Sequence, residues 1–391
     1  MLNREESQTL DSIRGMAAVV VLLMHTKQWF ICPLIGWDHP SVFVSSHLAH
    51  FAVLVFFALS GYVITHSLIS NAERNGGQVD ARAYTRARLA RILPPAIASG
   101  LFSLLVAALI IGGGLHGADS FRTERDQWVE REAVTVSARN VGATFLMSNG
   151  IIPGTKAIRI NAPMWSLSLE FWAYFVALFA AVSIYSLHRP DRRMRSAGVI
   201  HLLAFCLISL FLAARPLTVF QYYFYWLIGA LLYLRKKWPR PIIGILGVII
   251  VVGVLAAIRC SMLAENWSLL FENEAAGIWG IPIKGALLIV LASLVPIVGK
   301  LPTREFFVWF SRSSYTLYLF HYPMLCLAFS FFHLDYLDWG PLSRGTFLFA
   351  LSGLVLVVCH LIALPLENKR AWLSRFDQLW KRRNDGNPVA R

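Results

Sequence analysis

Charge is scarce in this sequence of 391 residues, and most of it is of one sign. Only 15% of the residues are Asp, Glu, Lys or Arg, whereas 57% are hydrophobic, more apolar surface than a soluble core could bury. A soluble domain is thereby excluded, and the expectation is an all-α polytopic membrane helical bundle. Cysteine is equally sparse: Cys32, Cys206, Cys260, Cys326 and Cys359 stand apart, with no CxxC or CxxH spacing. Neither a metal site nor a disulfide framework is expected, and Cys32 with Cys260 is the one outer-side pairing worth naming. No appended soluble catalytic domain is expected, and no internal repeat of the inverted-repeat transporter kind is visible. The polar amino terminus has no small-residue cleavage site after the first apolar run, so that run reads as a retained helix. The expectation is that the bundle itself carries the chemistry.

What is present is a series of apolar segments. Ten can be drawn: Gly15 to Ile31, Ala49 to Leu68, Pro94 to Gly112, Ser166 to Leu187, Ala197 to Ala214, Leu217 to Leu234, Pro241 to Ile258, Pro282 to Val298, Ser314 to Phe332 and Phe347 to Leu366. The net charge of +14 invites a nucleic-acid reading, but placing the amino terminus inside collects 25 of the 36 Lys and Arg on the cytoplasmic side. Topology accounts for the basic excess, puts both termini inside, and leaves no call for nucleic acid. Residues 1–366 form the transmembrane unit. Residues 367–391 form a basic amphipathic tail, with Trp372, Leu373, Phe376, Leu379 and Trp380 on one face, suited to the inner membrane surface. The long outer connection Asp119 to Pro163 carries Asn149-Gly150 and Pro153-Gly154 turn signals.

Ionisable side chains inside such spans are costly and mark candidate sites. In LDSIRGMAAVVVLLMHTKQWFI, Arg14 and His25 lie eleven positions apart, within roughly 20° of one helical face and about 16 Å along the axis. Asp11 joins the same stripe. A histidine at this depth suits a general base toward a hydroxyl, because its unperturbed pKa lies near 6.5. Read without other context, His25 serves equally as a hydrogen-bonding helix contact. In YTRARLARILPP, Arg88 and Arg91 share a face just before Pro94-Pro95 opens the third span. Their guanidinium forks suit phosphates, as they also suit anionic lipid. In NAPMWSLSLEFWAY, Glu170 sits one turn into an apolar helix and needs a partner across the bundle, Trp165 is an interfacial ring, and Ser166 is a candidate helix cap. In SRSSYTLYLFHYP, Tyr315, Tyr318 and Tyr322 follow a helical rhythm with His321 beside them. In FFALSGYVI, Ser60-Gly61 permits close helix approach.

In their order along the chain, these segments resemble the acyltransferase 3 family of integral membrane acyltransferases. The resemblance implies about ten spans, cytoplasmic termini, location in the bacterial cytoplasmic membrane, and transfer of an acyl group, commonly acetyl, from acetyl-CoA to a carbohydrate or other cell-envelope hydroxyl. It implies no bound cofactor, with acyl-CoA as a co-substrate. Residue by residue it points to His25 and Glu170 as catalytic and to Arg14, Arg88 and Arg91 for acyl-CoA; Asp11, on the same stripe as Arg14, reads as a further orienting acid. Ser60, Trp165, Tyr315, Tyr318 and His321 are candidate substrate-lining positions. His25 would deprotonate the acceptor or carry the acyl group transiently. Two departures stand out: a single acid, Glu170, follows WSLS, and YLFHYP replaces the YLWHWP-like pattern. With no periplasmic hydrolase-like domain, the chain is expected to belong with the stand-alone members. The competing reading is a proton-coupled transporter or a flippase of a glycan or lipid; an inactive relative is a third.

Overall fold

A computed structural model of the chain describes residues 3–36, 39–115, 134, 136–187, 189, 191–213, 217–238, 285, 288–289 and 304–385. Among the described residues there are helices and connections but no strand. The helices are α1 (Arg4–Phe30), α2 (Cys32–Ile35), α3 (Pro40–Arg74), α4 (Ala81–Gly112), α5 (Ala138–Phe145), α6 (Met164–Leu187), α7 (Arg192–Ala213), α8 (Leu217–Lys237), α9 (Arg304–Ser311), α10 (Ser314–Asp338), α11 (Pro341–Leu366) and α12 (Lys369–Asp385). Among the described residues, six helical stretches are long and apolar enough to cross a membrane: α1, α3, α4, α6, the Ser314–Phe332 part of α10, and Pro341–Arg375. The chain is a multi-pass membrane protein. Segments expected at Ala197 to Ala214 and Leu217 to Leu234 are helical as α7 and α8, though not among those six. The segment expected at Pro241 to Ile258 lies outside the described residues, as does Pro282 to Val298 apart from Gly285, Leu288 and Ile289.

The helix ends follow local chemistry. The Asn3 side chain accepts the Glu6 N–H at 2.7 Å, and Glu5 and Glu6 occupy the first turn of α1, where the helix dipole favours acids. Asp80 caps α4 through the Ala83 N–H at 2.9 Å. That helix runs unbroken through Pro94 and Pro95, so the prolines lie inside it rather than opening it. Arg88 and Arg91 therefore stand on the same continuous rod as the apolar stretch that follows them. Gly150 and Gly154 adopt φ of 70° and 71°, the left-handed backbone that the two turn signals require.

The helix α1 occupies the middle of the bundle, packed against α3, α9 and α10, while α3 lies along α8 and α6 along α7. Glycines set these crossings, Gly229 among them, where an added Cβ would meet the Ala58 carbonyl oxygen at 1.8 Å. A Cβ on Gly15 would meet the Phe307 carbonyl oxygen at 2.0 Å, and one on Gly61 would meet the Trp226 carbonyl oxygen at 1.8 Å. Only a hydrogen fits at either place, so the Ser60-Gly61 pair permits the backbone approach its sequence suggests. The helix α12 packs on α4, where Asp377 pairs with Arg86.

Candidate active site

Two polar regions meet inside this bundle, both lined by α1. At one end Arg14, Arg88, Arg91 and Glu170 line a small cavity with Ser60 and Tyr174. Arg14 donates to Asp11 at 2.8 Å, and Arg88 donates to Ser67 at 2.7 Å while lying over the rings of Tyr84 and Tyr174. Tyr174 donates to Glu170 one turn before it, and Glu170 faces Arg14, Arg88 and Arg91 across the same cavity. Three guanidinium groups against one carboxylate in its lining make this pocket suited to an anion. Asp11 belongs to this end alone. Fourteen positions of uninterrupted helix place it about 21 Å from His25 along the axis, which overturns its expected role as an orienting acid there.

Toward the other end, a cavity of about 260 Å³ is lined by His25, Gln28, Ser45, Ser46, His50, Trp165, Tyr222, Tyr318 and Tyr322 among others. Trp165 and Tyr222 form a ring pair with centroids 4.7 Å apart in its wall. The central contact is between histidines. His25 Nδ1 lies 2.8 Å from His321 Nε2, and the rings stack with centroids 5.0 Å apart. His321 is fully buried, and its Nδ1 lies 2.8 Å from the Leu317 carbonyl oxygen. A carbonyl only accepts, so His321 carries its proton on Nδ1 and presents Nε2 as the acceptor. His25 must then donate from Nδ1, which leaves the lone pair of the neutral ring on its Nε2.

Pro323 explains why His321 holds this position. It lies inside the continuous helix α10 and supplies no N–H to the Leu319 carbonyl. Ser99 Oγ donates to that oxygen at 2.7 Å and Asn161 Nδ2 at 2.9 Å, so the site left by proline is filled from α4 and from the turn before α6. Asn161 also donates to Ser99 and Ser103 at 3.0 Å each and is fully buried. The segment carrying His321 is thus tied to two other elements through the Leu319 carbonyl, four residues ahead of the proline. Ser166 is not the helix cap: α6 begins at Met164, and the Ser166 hydroxyl instead lies 2.6 Å from that of Tyr318. Tyr315 donates to the Ile92 carbonyl at 3.1 Å.

A family model described as an acyltransferase domain matches residues 8–364. The chain belongs to the acyltransferase 3 family. As a member of this acyltransferase family it is similar to the O-acetyltransferase OatA of Staphylococcus aureus strain NCTC 8325, at 23% identity over 83% of this chain and 51% of that one. It is similar too to the putative peptidoglycan O-acetyltransferase YrhL of Bacillus subtilis strain 168, at 24% identity over 82% of this chain and 48% of that one. Protein 2 in the picA locus of Rhizobium radiobacter is 28% identical over 41% of this chain and 75% of its own length. The chain spans about half the length of the two acetyltransferases. No solved structure matches it.

The structure therefore places Arg14, Arg88, Arg91, Glu170 and Ser60 together at one end, and His25, His321, Trp165 and Tyr318 together toward the other. Tyr315 lines a third cavity, with Arg14, Arg91, Glu170 and Tyr318, between those ends. Sequence reasoning overlooked Asn161, Tyr174 and Tyr222. Pro323 was a usable signal for Asn161, since a proline within an apolar helix demands an outside donor for the carbonyl four residues earlier. Among the described residues no group of three or more His, Cys, Asp or Glu is placed to hold a metal. Cys32 is a buried free thiol, and Cys260 lies outside the described residues.

Proposed function

We propose that this chain is an O-acyltransferase of the bacterial cytoplasmic membrane that moves an acetyl or other short acyl group from acyl-CoA to a hydroxyl of a carbohydrate in the cell envelope. The observation that carries the reading is the His25–His321 pair, whose hydrogen bonds leave a basic nitrogen on a ring lining a polar cavity. With the amino terminus inside, Arg14, Arg88 and Arg91 form the cytoplasmic entrance and receive the donor's phosphates. The pantetheine arm then spans the offset of about 16 Å from Arg14 to His25. The tail from residue 367 rests on the inner membrane surface.

In the reaction His25 Nε2 removes the acceptor O–H proton as the oxygen attacks the thioester carbonyl carbon. The C–S bond breaks, and the imidazolium returns the proton to the departing thiolate. His321 holds the His25 ring in the reactive tautomer and shares the positive charge, which passes toward the Leu317 carbonyl. Glu170 belongs to the donor end and balances the arginines there. The names of the relatives, O-acetyltransferase and peptidoglycan O-acetyltransferase, support acetyl as the group and a glycan as the acceptor.

The reading is tested in sealed inside-out vesicles given acyl-labelled acetyl-CoA. Wild-type protein should pass label to an envelope glycan, and correctly inserted His25→Ala protein should not. Absence of both CoA release and label transfer with wild type would overturn it, as would full transfer by the variant.

A further inference from the structure

Between the two ends, a third cavity of about 60 Å³ is lined by Arg14, Arg91, Glu170, Tyr174, Ser166 and Tyr315, among others. Of the described residues lining it, Val53 and Tyr318 also line the large cavity that holds His25. Val53 is a short aliphatic side chain. Tyr318 brings a ring and a hydroxyl, and both are held. Its hydroxyl lies 3.1 Å from the Pro163 carbonyl and 2.6 Å from the Ser166 hydroxyl, which itself lies 3.2 Å from that carbonyl, while Phe56 and His321 flank its ring with centroids 5.8 and 6.0 Å away. The latch lies in the first turn of α6, one turn ahead of Glu170.

Resting on the acyltransferase reading, we propose that Tyr318 is a positioning residue that partitions the bundle into a donor chamber on the arginine side and an acceptor chamber on the His25 side. A thioester arriving from the arginines meets the Tyr318 ring before it meets His25. The ring must swing aside, releasing Pro163 and Ser166, for the carbonyl carbon to reach the acceptor hydroxyl. While closed, the partition separates the thioester from water in the larger, polar-lined cavity. Without it, a water oxygen attacks the thioester carbonyl, the C–S bond breaks, the thiol takes the proton, and acetate leaves with no acceptor modified. Tyr318 thereby couples donor consumption to transfer.

The test measures two quantities in the same vesicles: CoA released from acetyl-CoA, and acyl label recovered on the acceptor. With wild type the ratio of release to transfer is close to unity. Tyr318→Ala should raise that ratio several-fold by increasing unproductive release. Tyr318→Phe and Ser166→Ala, which keep the ring but loosen its latch, should raise it less. Tyr62→Phe, on α3 and bonded to Glu6, should leave it unchanged. A structural role alone would lower release and transfer together with their ratio fixed, and that result would overturn the partition. If Tyr318→Ala fails to reach the membrane, the same ratio in Tyr318→Phe and Ser166→Ala decides the matter. A wild type that releases no CoA would instead bring down the acyltransferase reading on which the partition rests.

Discussion

His321 presents its Nε2 to the Nδ1 of His25 at 2.8 Å, joining two helices whose histidines are 296 positions apart in the chain. The bond is directional: the Leu317 carbonyl fixes the proton of one ring, and that ring fixes the proton of the other. Removing the second histidine should therefore impair the first without touching the donor pocket. His321→Ala is expected to lower kcat by about 100-fold, within the range for a positioned general base, with little change in the KM for acyl-CoA. His321→Gln should recover part of the loss, because its amide can donate to Leu317 while its carbonyl accepts from His25. Steady-state kinetics on the three proteins check this order.

The proline gap in α10 gives a stability prediction. Asn161→Leu keeps the bulk but withdraws one donor from the Leu319 carbonyl, at an expected cost of about 1–3 kcal/mol for a buried acceptor left short. Ser99→Ala withdraws the other donor. The double variant should lose a different amount from the sum of the two single losses, because both side chains serve one oxygen. Thermal unfolding in detergent measures all three.

At the arginine end, Arg88→Ala and Arg91→Ala should each raise the KM for acyl-CoA by about 10- to 100-fold, the worth of one charge-assisted hydrogen bond to phosphate. Lysine at either position should recover only part, since it keeps the charge but not the fork. Acyl-CoA saturation curves at two salt concentrations test this, and added salt should narrow the gap between wild type and variants.

Packing makes a sharper distinction among glycines than sequence does. Gly15→Ala and Gly61→Ala force a methyl group against backbone oxygens at 2.0 and 1.8 Å and should sharply reduce the folded protein recovered from membranes. Gly353→Ala, in α11 where nothing lies within 4 Å of the added carbon, should be neutral or gain up to about 1 kcal/mol from helix propensity. Recovery by size-exclusion chromatography distinguishes the two outcomes.

The features legible in the sequence are those that the backbone of one helix determines. The face shared by Arg14 and His25 and the common rod of Arg88 and Arg91 follow from helical periodicity, which no tertiary contact needs to supply. Asp11 shows the same periodicity failing, because sharing a face says nothing of reaching along it. What the sequence conceals is decided where helices cross. The partner of His25 stands on α10, the donors that repair the Pro323 gap come from two separate places, and Glu170 finds Tyr174 on its own helix. Prolines 94 and 95 read as a helix start because proline is favoured there. In a packed apolar bundle the helix instead runs through them.

The Leu319 oxygen also marks how much of this protein can be exchanged. Asn161 stands near the end of the long connection that follows α4, and it is one of the points at which that connection is fastened to the bundle, as Met147 is through the Trp172 indole. Exchanges ahead of Asn161 should keep the buried side chains of Met147, Asn149, Ile158 and Ile160. A graft whose seam falls beyond Asn161 replaces the fastening itself. Chimeras designed to change the acceptor should therefore place their seam on the amino-terminal side of that asparagine.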